Sequence, residues 1–277
     1  MNITLDTAKA LVGAAREVAK KEVMPYFRKT SQLSVESKSS ASDLVTTADK
    51  NSEKLLSMKI AEILPEAEII GEEAVENDPS LLNKINTASQ CVIIDPIDGT
   101  WNFVKGVPVF GIIIAVVEGG ETVCGVLYDP VMDNCTYAVK GKGAYHIASD
   151  GEVTPVYSAK PTDSFTEMEG FVPAFSFQPS EYNFMFKDLS QFERINTLRC
   201  SCHEYRTLSE GGVHFGISGS PKPWDNAAGE LVFRESGGYA AILETGKTYK
   251  PGADNKGILL LAPNKENWVK LQQHFLG

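Results

Sequence analysis

Cys91-Val92-Ile93-Ile94-Asp95-Pro96-Ile97-Asp98-Gly99-Thr100 is the stretch on which the reading of this chain turns. Its first four residues are apolar and mostly β-branched, the pattern of a short buried strand. The strand is expected to end in an acidic turn, where Pro96 fixes the bend and Gly99 lets the backbone swing sharply toward Thr100. Both carboxylates and the Ile97 carbonyl can then converge on one point. Two carboxylates ~4 Å apart repel by about 4 kcal/mol at an effective dielectric of ~20, so convergence demands a cation. Oxygen donors with no His or Cys in the turn suit Mg²⁺ rather than zinc. The same hexapeptide also reads as an ordinary Asp-Pro turn with Asp caps, and taken alone it leaves both readings open.

Upstream, Glu68-Ile69-Ile70 reads as a short strand leading into Gly71-Glu72-Glu73. A helix is expected from Thr46, with Thr and Asp capping chemistry, through Leu55, Leu56 and Ile60 to about Leu64, where Pro65 stops it. On that helix Asp49 reads as a first-turn acid complementing the dipole. Residues 30–43 read as a Ser-rich mobile loop, and Leu5, Ala8, Leu11, Val12, Ala15, Val18 and Ala19 recur at helical spacing until Pro25. Residues 62–78 carry Glu62, Glu66, Glu68, Glu72, Glu73, Glu76 and Asp78 with no Lys or Arg, for the most part a solvated acidic face.

Downstream, three or four β-branched segments between Val109 and about Ile147 are punctuated by Gly119-Gly120, Asp129-Pro130 and Gly141-Lys142-Gly143, as in an antiparallel meander. Residues 148–277 alternate strands and helices: a helix near 202–211, a strand near 213–217, a helix opening at Trp224-Asp225, a strand over Ile258–Leu261 and a terminal helix. Asp225 by itself reads as a helix cap. The expectation is one α/β (α+β) domain over 1–277, with an α+β lobe to about 147 fused to an α/β lobe.

Composition narrows the function classes. The 277 residues hold 26 Lys and Arg against 36 Asp and Glu, a net charge of −10, with no basic stripe, so direct nucleic-acid binding is not expected. The longest apolar stretch, Phe110 to Val117, falls well short of the ~20 residues that span a bilayer. The N-terminal segment reads as the first helix of the fold rather than a signal peptide, which points to the cytoplasm. Cys91, Cys124, Cys135, Cys200 and Cys202 are an odd, unspaced set and read as reduced thiols; Cys200-x-Cys202 has no second pair to complete a zinc site.

Four stretches taken together carry a resemblance: Lys38-Ser39-Ser40 with Asp43-Leu44-Val45-Thr46 and Asp49; Gly71-Glu72-Glu73; Asp95-Pro96-Ile97-Asp98-Gly99-Thr100 with Asn102-Phe103; and Trp224-Asp225-Asn226-Ala227-Ala228-Gly229. In order and approximate spacing they resemble the inositol monophosphatase family over nearly the whole chain. The run from Glu230 to Gly238 looks like the bacterial branch that includes the extragenic suppressor protein SuhB. The resemblance implies a layered αβαβα sandwich of the sugar-phosphatase type, a homodimer, use of Mg²⁺ and sensitivity to Li⁺. It implies that Glu72, Asp95 and the Ile97 carbonyl hold one metal and Asp95, Asp98 and Asp225 a second. Glu72 would position the nucleophilic water with help from Thr100, and Asp49 would orient the Thr100 hydroxyl. Ile97, Gly99, Thr100, Ser201 and Asp225 would contact the substrate, with the Gly99 and Thr100 amides on phosphate oxygens.

The second half departs from the family pattern. Inositol-preferring members usually carry a Glu six residues before the Trp of the Trp-Asp motif, where an ungapped count gives Ser218. The family's Gly-Ser/Thr-Ala segment aligns with Cys200-Ser201-Cys202, Trp101 stands where a second Thr is frequent, and His203 reads as a satisfied helix histidine rather than a phosphate contact. The expected activity is Mg²⁺-dependent hydrolysis of inositol monophosphate or a similar small polyol phosphate. The alternatives are a 3′-phosphoadenosine 5′-phosphate nucleotidase, a fructose-1,6-bisphosphatase, or a non-catalytic regulatory protein of the same fold. Retention of four mutually repelling acids argues against the last.

Overall fold

The computed structural model describes residues 3–29, 34–37, 44–173, 188–219, 221–252 and 256–277. Helix α1 (Leu5–Val18) buries Ala8, Leu11, Val12, Ala15 and Val18 and passes into a wider helical turn, Ala19–Val23, that ends before Pro25. Strand β1 (Val35–Ser37) pairs antiparallel with β2 (Leu44–Thr46). The segment expected to be a mobile loop therefore contributes a strand, while residues 30–33 and 38–43, including Lys38, Ser39, Ser40 and Asp43, lie outside the described residues.

Thr46 caps α2 (Thr47–Ile63): its hydroxyl accepts from the helix start, while Asp49 accepts from the Thr46 backbone, a reciprocal box that satisfies two amides at once. Next come β3 (Glu68–Gly71), α3 (Glu72–Asn77), α4 (Lys84–Thr87), β4 (Gln90–Asp98) and α5 (Thr100–Lys105). The meander follows as β5 (Gly111–Glu118), β6 (Glu121–Asp129), β7 (Asn134–Val139), β8 (Ala144–Ile147) and β9 (Val153–Pro155). The remaining elements are β10 (Glu169–Phe171), β11 (Arg194–Asn196), α6 (Ser201–Ser209), β12 (Phe215–Ser218), α7 (Pro223–Glu235), β13 (Tyr239–Ile242), β14 (Leu259–Ala262) and α8 (Lys265–Leu276).

Among the described residues, β3 to β9 form a seven-stranded sheet in sequence order, parallel only between β3 and β4. A second, five-stranded sheet has the order β11-β10-β12-β14-β13, with parallel pairs on both sides of β10. The two-residue period of β4 and β5 divides the large sheet between two cores. Val92, Ile94, Ile112, Ile114 and Val116 face α1 and α2, while Cys91, Ile93, Ile113, Ala115 and Val117 face α6 and α7. The second core also takes in Leu259 and Leu261 of the small sheet, and α8 covers that sheet's far side through Trp268, Leu271 and Phe275. The layers thus run helix, sheet, helix, sheet, helix, the expected αβαβα sandwich. Its middle helix α7 is buried on nearly every side, which explains why Asn226 through Phe233 form an almost unbroken buried run.

Candidate active site

The acidic turn expected at Asp95 to Thr100 is instead the end of β4, and the correction explains the convergence. Asp95 pairs with Ile113 and Asp98 with Gly111, so three residues on β4 span two on β5. In a regular strand, residues three apart point to opposite faces; this one-residue bulge returns Asp98 to the face of Asp95. Pro96, which has no amide to offer, sits inside the bulge. Gly99 then adopts φ 84° as the cap of α5, a left-handed conformation that glycine accepts without strain. A side chain there would meet the Val109 carbonyl at 3.0 Å and Cys200 Cβ at 3.2 Å.

Carboxylate oxygens of Asp95, Asp98 and Asp225 lie within 4.8 Å of one another. Asp95 and Asp98 are buried on β4, and Asp225 arrives from the first turn of α7. Glu72, at the start of α3, lines the same cavity of about 420 Å³ without joining that close trio. The Ile97 amide donates to Asp95 Oδ1 at 3.1 Å, and the Thr100 hydroxyl lies 2.9 Å from the Ile97 carbonyl and 3.1 Å from Asp49 Oδ1. Having one proton, that hydroxyl donates to one of these acceptors at a time. Asp49 Oδ2 also takes the Thr46 amide at 2.8 Å and hydroxyl at 2.6 Å, so the first-turn acid is both helix cap and Thr100 partner. Gly99, Thr100, Ser201 and Ser218 all line the cavity.

Asp98 does more than face the trio. Its Oδ2 accepts from the Cys202 amide at 2.6 Å and from the Cys200 thiol at 3.0 Å, joining the end of β4 to the start of α6. His203 turns away from the cavity, its Nε2 3.1 Å from the Phe110 carbonyl. Glu204 lines the cavity but directs Oε1 to the Leu198 amide at 2.7 Å and the Thr197 hydroxyl at 3.2 Å. Glu210 faces Thr136 and His146 instead.

One positioning residue escaped the sequence reading. Glu53, one helical turn after Asp49 on α2, accepts the Glu73 and Ala74 amides at 2.8 and 2.9 Å, clamping the turn that presents Glu72. Gly71 makes this approach possible, because a Cβ there would sit 2.2 Å from the Glu53 carboxyl carbon. The four-residue spacing of Asp49 and Glu53 was the available signal.

Burial pushes Asp49 up to about 7, Glu53 to about 6 and Asp98 to about 6, and the Glu72 charge adds to each shift. Burial likewise raises Asp95 well above the carboxylate range, reinforced by the charges of Glu72, Asp98 and Asp225. A trio of oxygen donors, two of them buried, under mutual repulsion is the chemistry a hard divalent cation relieves, so the residues present fit Mg²⁺.

A sequence profile of the inositol monophosphatase family matches residues 5–272. The chain belongs to that family. It is 30% identical over 208 residues to a fructose-1,6-bisphosphatase/inositol-1-monophosphatase of Thermotoga maritima, covering 74% of this chain and 73% of that protein. It is 32% identical over 222 residues to Nus factor SuhB of Pasteurella multocida, covering 76% of each. The solved extragenic suppressor protein SuhB of Bartonella henselae shares the fold, with TM-score 0.79 at 22% identity over 96% of this chain and 97% of that one. The chain is thus a phosphatase-type enzyme of the SuhB-like branch, and no described helix is long and apolar enough to cross a membrane.

In this inositol monophosphatase family member the raised carboxyls give stability a definite pH dependence. Burial lifts Glu204 from 4.5 to about 7 and Asp49 from 3.8 to about 7. Both hold protons more tightly folded than unfolded, so stability is greatest below about pH 4 on their account and is lost as pH rises through about 7. Glu204→Gln keeps an oxygen for Leu198 and Thr197 and removes the buried charge. Metal-free E204Q should therefore be more stable than wild type at pH 8, by on the order of 1–3 kcal/mol, with the gain shrinking toward pH 5. Denaturant melts at the two pH values check this, and an equal effect at both contradicts it.

Proposed function

We propose that this enzyme is a Mg²⁺-dependent phosphomonoesterase acting on inositol monophosphate or a similar small polyol phosphate, by attack of water in line with the leaving oxygen. The observation that carries the reading is the convergence of Asp95, Asp98 and Asp225 in one cavity beside the Thr100–Asp49 contact. Glu72, Asp95 and the Ile97 carbonyl would hold one ion, and Asp95, Asp98 and Asp225 a second. Bound Mg²⁺ supplies the positive charge that offsets the phosphoryl oxygens as the ester bond breaks.

The chain's own groups do the rest. Asp49, fixed by Thr46, holds the Thr100 hydroxyl so that its oxygen accepts from the attacking water, and Glu72 takes up the proton that water loses. The Gly99 and Thr100 amides at the start of α5 face phosphate oxygens, with Ser201 and Asp225 toward the alcohol part of the substrate. No side-chain nucleophile is required. A cytoplasmic setting accords with five free, buried cysteines, and homodimer formation and Li⁺ sensitivity belong to the same family reading.

Fructose 1,6-bisphosphate is the second reading, favoured by the double name of the Thermotoga relative. Phosphate release with Mg²⁺ from inositol 1-phosphate, fructose 1,6-bisphosphate, 3′-phosphoadenosine 5′-phosphate and glycerol 2-phosphate separates these substrates. Release from none of them contradicts the proposal.

Among monophosphates, choice should be loose. A buried carboxylate left unpaired by a wrong sugar is penalised heavily, whereas the Ser218 hydroxyl rotates to donate or accept. Inositol 1-phosphate and glycerol 2-phosphate should differ by only about 5–30-fold in kcat/KM, or ~1–2 kcal/mol, and Ser218→Glu should widen the gap in favour of inositol. A wild-type preference above roughly a thousandfold would show that another group makes the sugar contact.

A further inference from the structure

Asp95 and Asp98 share one strand, whereas Asp225 reaches them from a helix, so the trio closes only if the first turn of α7 is held against the end of β4. Repulsion among the three carboxylates pushes that turn outward whenever no cation stands between them. The turn has no ordinary side-chain cap: Lys222 occupies the cap position without a side-chain hydrogen bond to the helix, and Pro223 follows it. Another group has to fix it.

Asn226, the buried residue after Asp225, turns its side chain back along the helix. Its Nδ2 donates to the Lys222 carbonyl at 3.0 Å, beside its own backbone amide at 3.1 Å, and its Oδ1 accepts from the Tyr205 hydroxyl at 2.8 Å. The two partners fix which way the amide points. Tyr205 lies on α6 and is 3% exposed, its ring packed against α7 at Gly229, where a Cβ would run into it. Burial raises the Tyr205 hydroxyl well above the tyrosine range, so it keeps its proton and stays a donor. The same helix supplies the Cys202 amide and the Cys200 thiol to Asp98. Helix α6 therefore grips the trio twice, Asp98 directly and Asp225 through its neighbour.

Building on the metal reading above, we infer that the Tyr205 hydroxyl is a positioning group for the second ion: through Asn226 it holds the first turn of α7 so that Asp225 meets Asp95 and Asp98 ready to receive Mg²⁺. The hydroxyl proton is committed to Asn226, so Tyr205 acts through the helix turn and is not a catalytic residue. Without that hydroxyl the Asn226 oxygen is buried with no donor, and the turn relieves it by shifting toward the water of the cavity, taking Asp225 with it.

The test titrates Mg²⁺ alone, by calorimetry, into metal-free wild type, Tyr205→Phe, Asn226→Ala and the double variant, with Tm recorded in chelator. Y205F keeps the ring that packs on Gly229, and it should bind the ion held through Asp225 about 5–30-fold more weakly, the scale of one buried hydrogen bond. N226A should weaken binding at least as much, and adding Y205F to N226A should change the affinity by less than about twofold, because Tyr205 acts through Asn226. If N226A fails to fold, Y205F alone decides. Equal Mg²⁺ affinity in wild type and Y205F, with only a lower Tm in chelator, shows a packing role and overturns the inference, as does an additive loss in the double variant. A wild type that binds no Mg²⁺ contradicts the metal reading itself, and the inference falls with it.

Discussion

Asp95→Asn should lower phosphate release by at least about a thousandfold while the protein remains folded. Asp95 is 2% exposed, shares both proposed ion sites and meets Asp98 and Asp225 within 4.8 Å. Asparagine keeps an oxygen for the Ile97 amide, so the bulge at the end of β4 survives the change. It removes a charge held in a buried site against the charges of Glu72, Asp98 and Asp225, so the metal-free variant should melt higher than wild type. The stabilisation Mg²⁺ gives the native state of wild type should largely vanish in D95N. Melting curves with Mg²⁺ and with chelator, alongside phosphate release, check all of this; activity within threefold of wild type contradicts it.

Gly125→Val should be the most damaging single change far from the carboxylates. Gly125 lies on β6 under α7, and a Cβ there would meet the Ala228 carbonyl oxygen at 2.5 Å and Ala228 Cα at 3.0 Å. Those are backbone atoms of a helix sandwiched between two sheets, so no side-chain rotation relieves the clash. The variant should lose about 3 kcal/mol, a fall in Tm of roughly 6–12 °C. Because α7 carries Asp225 in its first turn, Mg²⁺ should also bind G125V more weakly at temperatures where it is folded. An unchanged Tm contradicts the packing account, and a lower Tm with unaltered Mg²⁺ affinity separates the helix from the site.

Local signals were legible wherever neighbouring residues decide the outcome. Thr46 and Asp49 mark a helix start because capping involves residues three apart, and the glycine-punctuated meander from Val109 pairs strand with next strand. The acidic residues were legible as a set, although the device that turns Asp98 toward Asp95 was not. A bulge is a register relation to β5, invisible in β4 alone. The same holds for the short strands β10, β11 and β13, three or four residues each, whose partners come from distant parts of the chain. Glu53 looked like any polar residue on α2, and its role depends on Gly71 leaving room for it. The stacking of Arg199 on Trp101 was likewise illegible, because the two meet across nearly a hundred positions of sequence.

The central claim, that the acidic trio and Glu72 work through Mg²⁺, is tested most directly by phosphate release from inositol 1-phosphate and fructose 1,6-bisphosphate in excess chelator, followed by restoration with Mg²⁺ and, separately, with Ca²⁺. The expected result is no release in chelator, full recovery with Mg²⁺, and little or none with the larger Ca²⁺, whose looser geometry misplaces the attacking water. Full activity in excess chelator would contradict the account.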